Sequence, residues 1–473
     1  MMILFGSPNF RANVMTGPKR QSARRDQVPD PSAGNGLAAA VARYFRFAEH
    51  GATFRREIAG GITTFLTMAY VVVVNPAILH AAGIPVGASM VATIVTAVFG
   101  TVIMGLYANR PFAIAPYMGE NAFIAYTVVK VLGYSWQQAL AAVFLGGVLF
   151  LLLTVFRLRA WLVRAVPEAL RYSFAAGIGL FLAFIGLNEC GIVTLGGPGA
   201  PVQAGVLTSG HALLAIGGVL VLALLMIRKF PGAILVGMLL TTAVGMATGL
   251  VPLPHGWVSR PPSLAPLFLH LDFHHAFSWG FFPVVLTIFV MAFVDTMGTL
   301  IGVSARAGLL DEHGELPQIE RPMLADALST VVAPLLGTTT AGAFIESATG
   351  VEAGGRTGFT ALVTAFCFAL TLFFAPLVSA IPPQAYGPAL VIVGLLMLAP
   401  ITRLRLDDLT EAIPAFAVVT LMSFTYNIGI GITAGLVLYP FCKVVAGRRR
   451  EVAGGLWVLG LLSLLFFIFY PYR

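Results

Sequence analysis

The sequence predicts an all-α polytopic membrane protein: fourteen transmembrane segments in two inverted seven-segment repeats, with short extended pieces in broken segments 3 and 10. Three observations carry this expectation. Of 473 residues, 58% are hydrophobic and only 10% are charged, where a soluble domain carries about 25% charged residues, and mean hydropathy is +0.90. Apolar runs recur at about the 20-residue length a spanning helix needs. Lys and Arg gather in every second loop between those runs, as they do on the cytoplasmic side of membrane proteins.

The same composition excludes an ordinary soluble domain. A formal charge of +8 could suggest nucleic acid, but the basic residues are dispersed between apolar runs instead of clustering with aromatics on one face. Cys190, Cys367 and Cys442 are odd in number, widely separated and outside any CxxC spacing, so neither a disulfide framework nor a thiolate metal site is suggested.

In chain order, residues 1–53 read as a cytoplasmic tail. Its first 35 residues are polar and lack a signal-peptide core, and 37–47 form an amphipathic helix that suits the membrane surface. The first seven segments fall at 58–80, 86–108, 112–131 (broken), 137–156, 168–188, 211–228 and 231–250. After a loop bearing His255, His270, His274 and His275 come 280–304, 322–337, 338–353 (broken), 357–378, 387–400, 411–427 and 430–446. An apolar stretch at 454–470 could span, re-enter or lie in the interface. With the tail inside, Arg110, Arg171, Arg228, Lys229, Arg321, Arg356, Arg403, Arg405 and Lys443 are all inside, and Lys130 and Arg260 are the exceptions outside. This gives a multi-pass protein of the plasma membrane (bacterial inner membrane) with a cytoplasmic N-terminus, in contact with membrane lipid.

Function is to be sought where polar residues interrupt the apolar body. The stretch from Gly337 to Gly358 carries small residues, hydroxyls and Glu346 at a depth where lipid cannot solvate them. Irregular backbone survives there only if protein or a water-filled cavity covers it. An extended piece from Thr338 to Phe344, leading into a helix from Glu346 to Glu352, would aim free backbone N–H groups at that cavity. The other broken segment holds Ala115-Pro116-Tyr117-Met118-Gly119-Glu120-Asn121: a helix-starting proline, a flexible glycine and the side chain of Asn121, which offers both a donor and an acceptor. In the eighth segment, Asp295 and Thr299 are four apart and share a helix face, with Gly298 expected to let another element approach. A carboxylic acid at that depth must be neutralised or paired, so Asp295 and Glu346 are candidates for carrying a proton, anchoring a substrate, or both. Asp326 is ambiguous between a helix-end and a supporting role. The loop histidines lack a carboxylate or cysteine at ligand spacing, so no metal is expected. No nucleotide-loop, nucleophile-elbow or zinc-protease motif stands in a plausible place, and an enzyme is not expected.

Four ordered motifs, FRREIAGGITTFLTMAYVVVVNPAIL (54–79), APYMGENAFIAYTVV (115–129), DTMGTLIGVSARAGLLDEHGELP (295–317) and FIESATGVEAGGRTGFTALV (344–363), resemble the nucleobase–cation symporter-2 family, in its adenine/guanine/hypoxanthine permease branch. The likeness runs from about residue 54 to the end. It implies a core domain (54–156 and 280–378) moving against a gate domain (157–251 and 379–446), separated by the loop 252–279 and followed by the C-terminal segment 447–473. Substrate would lie between half-helices 3 and 10, facing segment 8. The carried-over positions are Gly119 and Asn121, Asp295 and Thr299, and Phe344 and Glu346. The resemblance implies proton-coupled import of a purine nucleobase without a cofactor, with Asp295 and Glu346 as coupling residues. Uracil or xanthine as substrate, sodium as coupling ion, and an anion transporter or channel of the same fold are the alternatives; a homodimer is left open. The chain departs from many better-known members by having Ala292 where they have a second acid, and Tyr117 and Glu120 in APYMGENA where they have APGMGLNA.

Overall fold

The computed structural model describes residues 36–156, 165–197, 200–254, 256–274, 281–311 and 316–469. The reading of 1–35 as a tail, and His255 and His275, lie outside these. Contacts divide the chain into an N-terminal unit ending at Gly51 and a body beginning at Ala52. In the first unit the expected single helix over 37–47 is two: α1 (Leu37–Tyr44) and α2 (Phe47–His50), because Arg46 takes a left-handed conformation (φ 56°) between them.

The body is almost entirely helical. Its elements are α3 (Phe54–Met68), α4 (Val71–His80), α5 (Val86–Leu106), β1 (Ile114–Pro116), α6 (Met118–Ala122) continuing as a π-helix (Phe123–Val131), α7 (Trp136–Val155) and α8 (Glu168–Glu189). A hairpin of β2 (Val193–Leu195) and β3 (Val202–Ala204) leads to α9 (Gly210–Ile227) and α10 (Ala233–Ala247). Then come α11 (Phe282–Ala307), α12 (Glu320–Leu336), β4 (Ala341–Ala343), α13 (Ser347–Glu352), α14 (Gly358–Thr371), α15 (Ala375–Ser379), α16 (Pro383–Leu398), α17 (Leu409–Phe424), α18 (Ile428–Val445) and α19 (Gly454–Phe469). Among the described residues, nine helical stretches are long and apolar enough to cross a membrane, Phe54–His80 (α3 with α4) being one, and α10, α17 and residues Gly454–Leu465 are shorter apolar helices.

The helix starts follow from local chemistry. Ser135 and Gln138 form a reciprocal capping box on α7, and Ser209 and Asn427 cap α9 and α18 through their side chains. Helix α12 ends because Gly337 adopts φ 92°, a conformation glycine tolerates and other residues resist. Leu267 closes over that glycine, so that a β-carbon there would lie 2.3 Å from the leucine Cβ.

Packing falls into two groups of neighbours. Helix α8 packs on α16 and α17, α9 on α10 and α16, and α17 on α18; separately, α12 packs on α7 and α5, and α14 on α5 and α3. The C-terminal α19 lies against α18 and also touches α11, with Leu456 and Leu459 buried.

Candidate functional site

The two broken segments meet. β1 and β4 pair antiparallel, with Ile114 opposite Ala343, Ala115 opposite Gly342 and Pro116 opposite Ala341. A two-stranded ribbon inside an apolar body has outer edges that would strand backbone polar groups, each costing several kcal/mol in lipid. Here side chains satisfy them. The Thr101 hydroxyl on α5 accepts from Ile114 N–H at 2.9 Å and lies 3.1 Å from the Ile114 carbonyl. Thr330 Oγ1 donates to the Ala341 carbonyl at 2.7 Å, Ser347 Oγ accepts from Ala113 N–H at 3.0 Å, and Asp326 Oδ1 accepts from Ala343 N–H at 2.6 Å. Asp326 is fully buried within α12, and its other oxygen accepts from Thr296 on α11. It thus ties the ribbon to α11, which settles its role as a support in mid-helix instead of a helix-end group.

Tyr117 covers this ribbon. Its ring stacks on Phe344 at 5.8 Å and 13°, and its hydroxyl is 3.5 Å from Thr296 Oγ1. A β-carbon on Gly342 would lie 2.2 Å from that hydroxyl, so the ring can sit there only over a glycine.

Glu346 precedes α13 and is half-buried; Tyr70, buried at the junction of α3 and α4, donates its hydroxyl to Glu346 Oε1 at 2.9 Å. The expectation of free first-turn amides needs correction on α13: the N–H groups of Ser347, Ala348 and Thr349 donate to the carbonyls of Phe344, Ile345 and Glu346. The tight turn uses them up, so side chains define this edge of the site. Across from α13 runs α11, which touches it. On α11, Asp295 and Thr299 are half-buried and Gly298 is exposed. A β-carbon on Gly298 would meet nothing within 4 Å, so this glycine borders open space instead of admitting a neighbouring element. Asp295, Thr299 and Glu346 therefore line partly open space, while Phe344 is buried as a wall.

Asn121 and Gly119 are placed differently. Asn121 is fully buried and donates its amide to Asn75 Oδ1, while its own Oδ1 has no partner. Asn75 in turn donates to Thr93 Oγ1 at 2.7 Å and Thr338 Oγ1 at 3.0 Å. This chain of amides and hydroxyls joins α4, α5, α6 and the stretch before β4. Gly119 meets α8, where a β-carbon would lie 2.6 Å from Ile178 Cγ2.

Sequence reasoning missed Tyr70, Asn75 and Glu57. Asn75 had a signal, since an amide followed by proline inside VVVVNPAIL is costly unless it serves a bond. Glu57 is fully buried on α3, and its Oε2 accepts from Thr357 Oγ1 and Thr360 Oγ1, both at 2.7 Å, at the start of α14. A carboxylate there matches the positive end of the helix. Nothing in the sequence marks Tyr70, whose partner is 276 residues away.

With this arrangement in view, the sequence profile described as the Permease family matches residues 55–436. The chain belongs to the permease family. Within it, the chain falls in the nucleobase–cation symporter purine branch, and it is a permease, not an enzyme. It is 45% identical to a putative permease of Methanocaldococcus jannaschii, over 91% of this chain and 98% of the relative. It is 40% identical to the adenine permease AdeP of Escherichia coli (93% and 97%), and 42% identical to the guanine/hypoxanthine permease PbuG of Bacillus subtilis (90% and 99%). In fold, this permease is similar to the transmembrane domain of a cyanobacterial bicarbonate transporter, BicA, at TM-score 0.61 and 18% identity, covering 81% of this chain and 98% of that one. It is also similar to the murine anion transporter Slc26a9 in its inward-facing state, at TM-score 0.61 and 13% identity, covering 93% and 75%.

Proposed function

We propose that the chain is a secondary active transporter that imports a purine nucleobase, adenine, guanine or hypoxanthine, together with a proton. The observation that carries this reading is the pair of carboxylates, Asp295 and Glu346, bordering open space where two broken segments cross, in a chain matched along nearly its whole length by relatives named for adenine and guanine/hypoxanthine. A purine presents ring N–H groups and ring nitrogens on one edge. The carboxylate of Glu346, steadied by Tyr70, is an acceptor for the former, and Thr299 can donate or accept beside it. The Phe344–Tyr117 stack supplies an aromatic wall for a flat ring.

Transport would proceed by alternating access. The core domain (54–156 and 280–378) would move as a body against the gate domain (157–251 and 379–446), with the fourteen segments arranged as two inverted repeats of seven and the N-terminus cytoplasmic. The two groups of packed helices support this division. Protonation of Asp295 or Glu346 neutralises the loaded core; carrying one unneutralised charge across the field costs about 2.3 kcal/mol per 100 mV. The bicarbonate and anion transporters sharing this fold make anion transport the second reading, but the described side chains assigned to the site are carboxylates, a hydroxyl, an amide and an aromatic ring, which favour a neutral heterocycle. Uptake of labelled purines by a transport-deficient strain expressing the chain, with and without a protonophore, tests both parts. Uptake that follows a sodium gradient and ignores the protonophore removes the proton; uptake of bicarbonate without purine removes the substrate.

A further inference from the structure

Glu120 has no role in the reading proposed above, yet among the described residues it is a fully buried acid whose carboxylate is left unexplained. It lies on α6, its side chain is completely buried, and neither carboxylate oxygen has a hydrogen-bond partner on another residue. Helix α6 packs on α4, α8, α11 and the π-helix. Two acids lie within electrostatic reach of Glu120, Asp295 on α11 and Asp326 on α12, and its own segment brings Tyr117. Of the other ionisable groups on the packed elements, Lys130 at the end of the π-helix is exposed, and Glu168, Arg171 and Tyr172 pair with one another at the start of α8. His80 lies at the end of α4 beside the Ile84 carbonyl, Tyr126 donates to Glu189, and α8 meets α6 through Ile178 against Gly119. No cation faces Glu120 among the described residues that bear on it.

An ionised carboxylate so placed would be a buried charge with no pair and no donor, next to two further acids, which is strongly unfavourable. Asp326 differs: it accepts from Thr296 and from Ala343 N–H, which suits a charged group. Asp295 differs too, because it is half-buried on the open side of α11 and can exchange protons with water. We propose that Glu120 holds a proton in this conformation and serves, with Asp295, as a coupling residue of the transport cycle. The step is a proton transfer alone: the Glu120 O–H bond breaks, the proton passes to the Asp295 carboxylate directly or through water, and the negative charge moves to Glu120. That charge is tolerable only if α6 shifts from α11 far enough to admit water, so releasing the proton is linked to movement of the core. The inference rests on the proton-coupled reading above and extends it to a residue in the first half-helix.

The test uses the full-length chain in proteoliposomes, with Glu120→Gln as a permanently neutral copy of the protonated acid and Glu120→Leu as an apolar one. Infrared difference spectra read protonated carboxylic acids directly, and labelled purine uptake is followed from pH 5 to pH 9. The expected result is that Glu120→Gln removes one protonated carboxyl band at pH 7 and flattens the pH dependence of uptake, so that activity persists at least one pH unit further into the alkaline range than in the parent. Should Glu120→Gln fail to fold, Glu120→Leu gives the same two readings. A band unchanged by both substitutions overturns the proposal, as does a lost band accompanied by the parental pH profile, which would make the proton merely structural. The transport reading is judged separately, on the parent: absence of protonophore-sensitive purine uptake there defeats that reading whatever the variants show.

Discussion

The two broken segments are built alike and used differently. Each runs from a three-residue strand into a short helix, and the strands pair with one another. After β4, Glu346 is half-buried and held by the Tyr70 hydroxyl. After β1, Glu120 and Asn121 are sealed: the acid has no partner on another residue, and the amide is spent on Asn75. A half-exposed, partnered acid is equipped to meet a ligand, because its charge is tolerable and one oxygen is already oriented. A sealed acid is equipped to hold or lose a proton. On the functional reading proposed above, the second broken segment would serve recognition, and the first packing and coupling.

The sharpest way to break this contrast is Glu346→Gln. The amide keeps the shape and can still accept from Tyr70, but loses the charge and the proton. Purine uptake is expected to fall on the order of 100-fold, the scale of a hydrogen bond to a charged group, while thermal unfolding in detergent stays near the parental value. Parental uptake by a well-expressed variant would return Glu346 to a structural role.

Asp326→Ala should act on stability first. It strands the Thr296 hydroxyl and the Ala343 N–H in a buried place, at about 1–3 kcal/mol for each group left unpaired. A lowered unfolding temperature, with Asp326→Asn falling between, is the expected series; an unchanged temperature would show that the ribbon stands without this support.

Asp295→Asn is expected to stop accumulation against a gradient while leaving exchange of purine down its gradient. Counterflow in proteoliposomes separates these two. Accumulation that persists and still collapses with a protonophore would move coupling away from α11.

Asn121→Ala sharpens the contrast from the other side. Direct contact with substrate predicts weakened purine binding with little loss of stability. The bond to Asn75 predicts in addition that stability drops by about 1–3 kcal/mol, and that Asn75→Ala, which also removes the bonds to Thr93 and Thr338, produces a larger drop to which Asn121→Ala adds little in the double variant. Binding measured in detergent alongside unfolding decides how much of Asn121 serves each purpose.

The smallest effect is expected far from both segments. Where α18 ends and the chain turns towards α19, Arg448 Nε lies 2.6 Å and Lys443 Nζ, in the last turn of α18, 3.0 Å from the Glu451 carboxylate. These contacts hold the Glu451 carboxyl down at about 2, from an ordinary 4.5. A group whose folded value is lowered stabilises the fold above its ordinary value and loses that contribution as pH falls through the folded value. Acidification from pH 5 towards pH 2 should therefore lower the unfolding temperature of the parent slightly more than that of Glu451→Gln.

The class of molecule was legible without coordinates because solvation by lipid leaves a one-dimensional record. Apolar runs of spanning length, and polar residues where none should be, appear in any linear reading, and they led to Asp295, Glu346 and both broken segments. Several residues could not be assigned in that way. Gly298 looks like a packing glycine in sequence, and only the fold shows that it borders open space. Asn121 looks like a free amide until Asn75, 46 residues earlier, is brought beside it. Asp326 reads as either a helix-end or a supporting acid and Glu57 goes unmarked, yet the first closes the edge of a ribbon made from two distant strands and the second caps α14 from about 300 residues away. Periodicity and composition record what each residue asks of its solvent. Which partner meets that demand depends on contacts between segments hundreds of residues apart, and no local pattern encodes them.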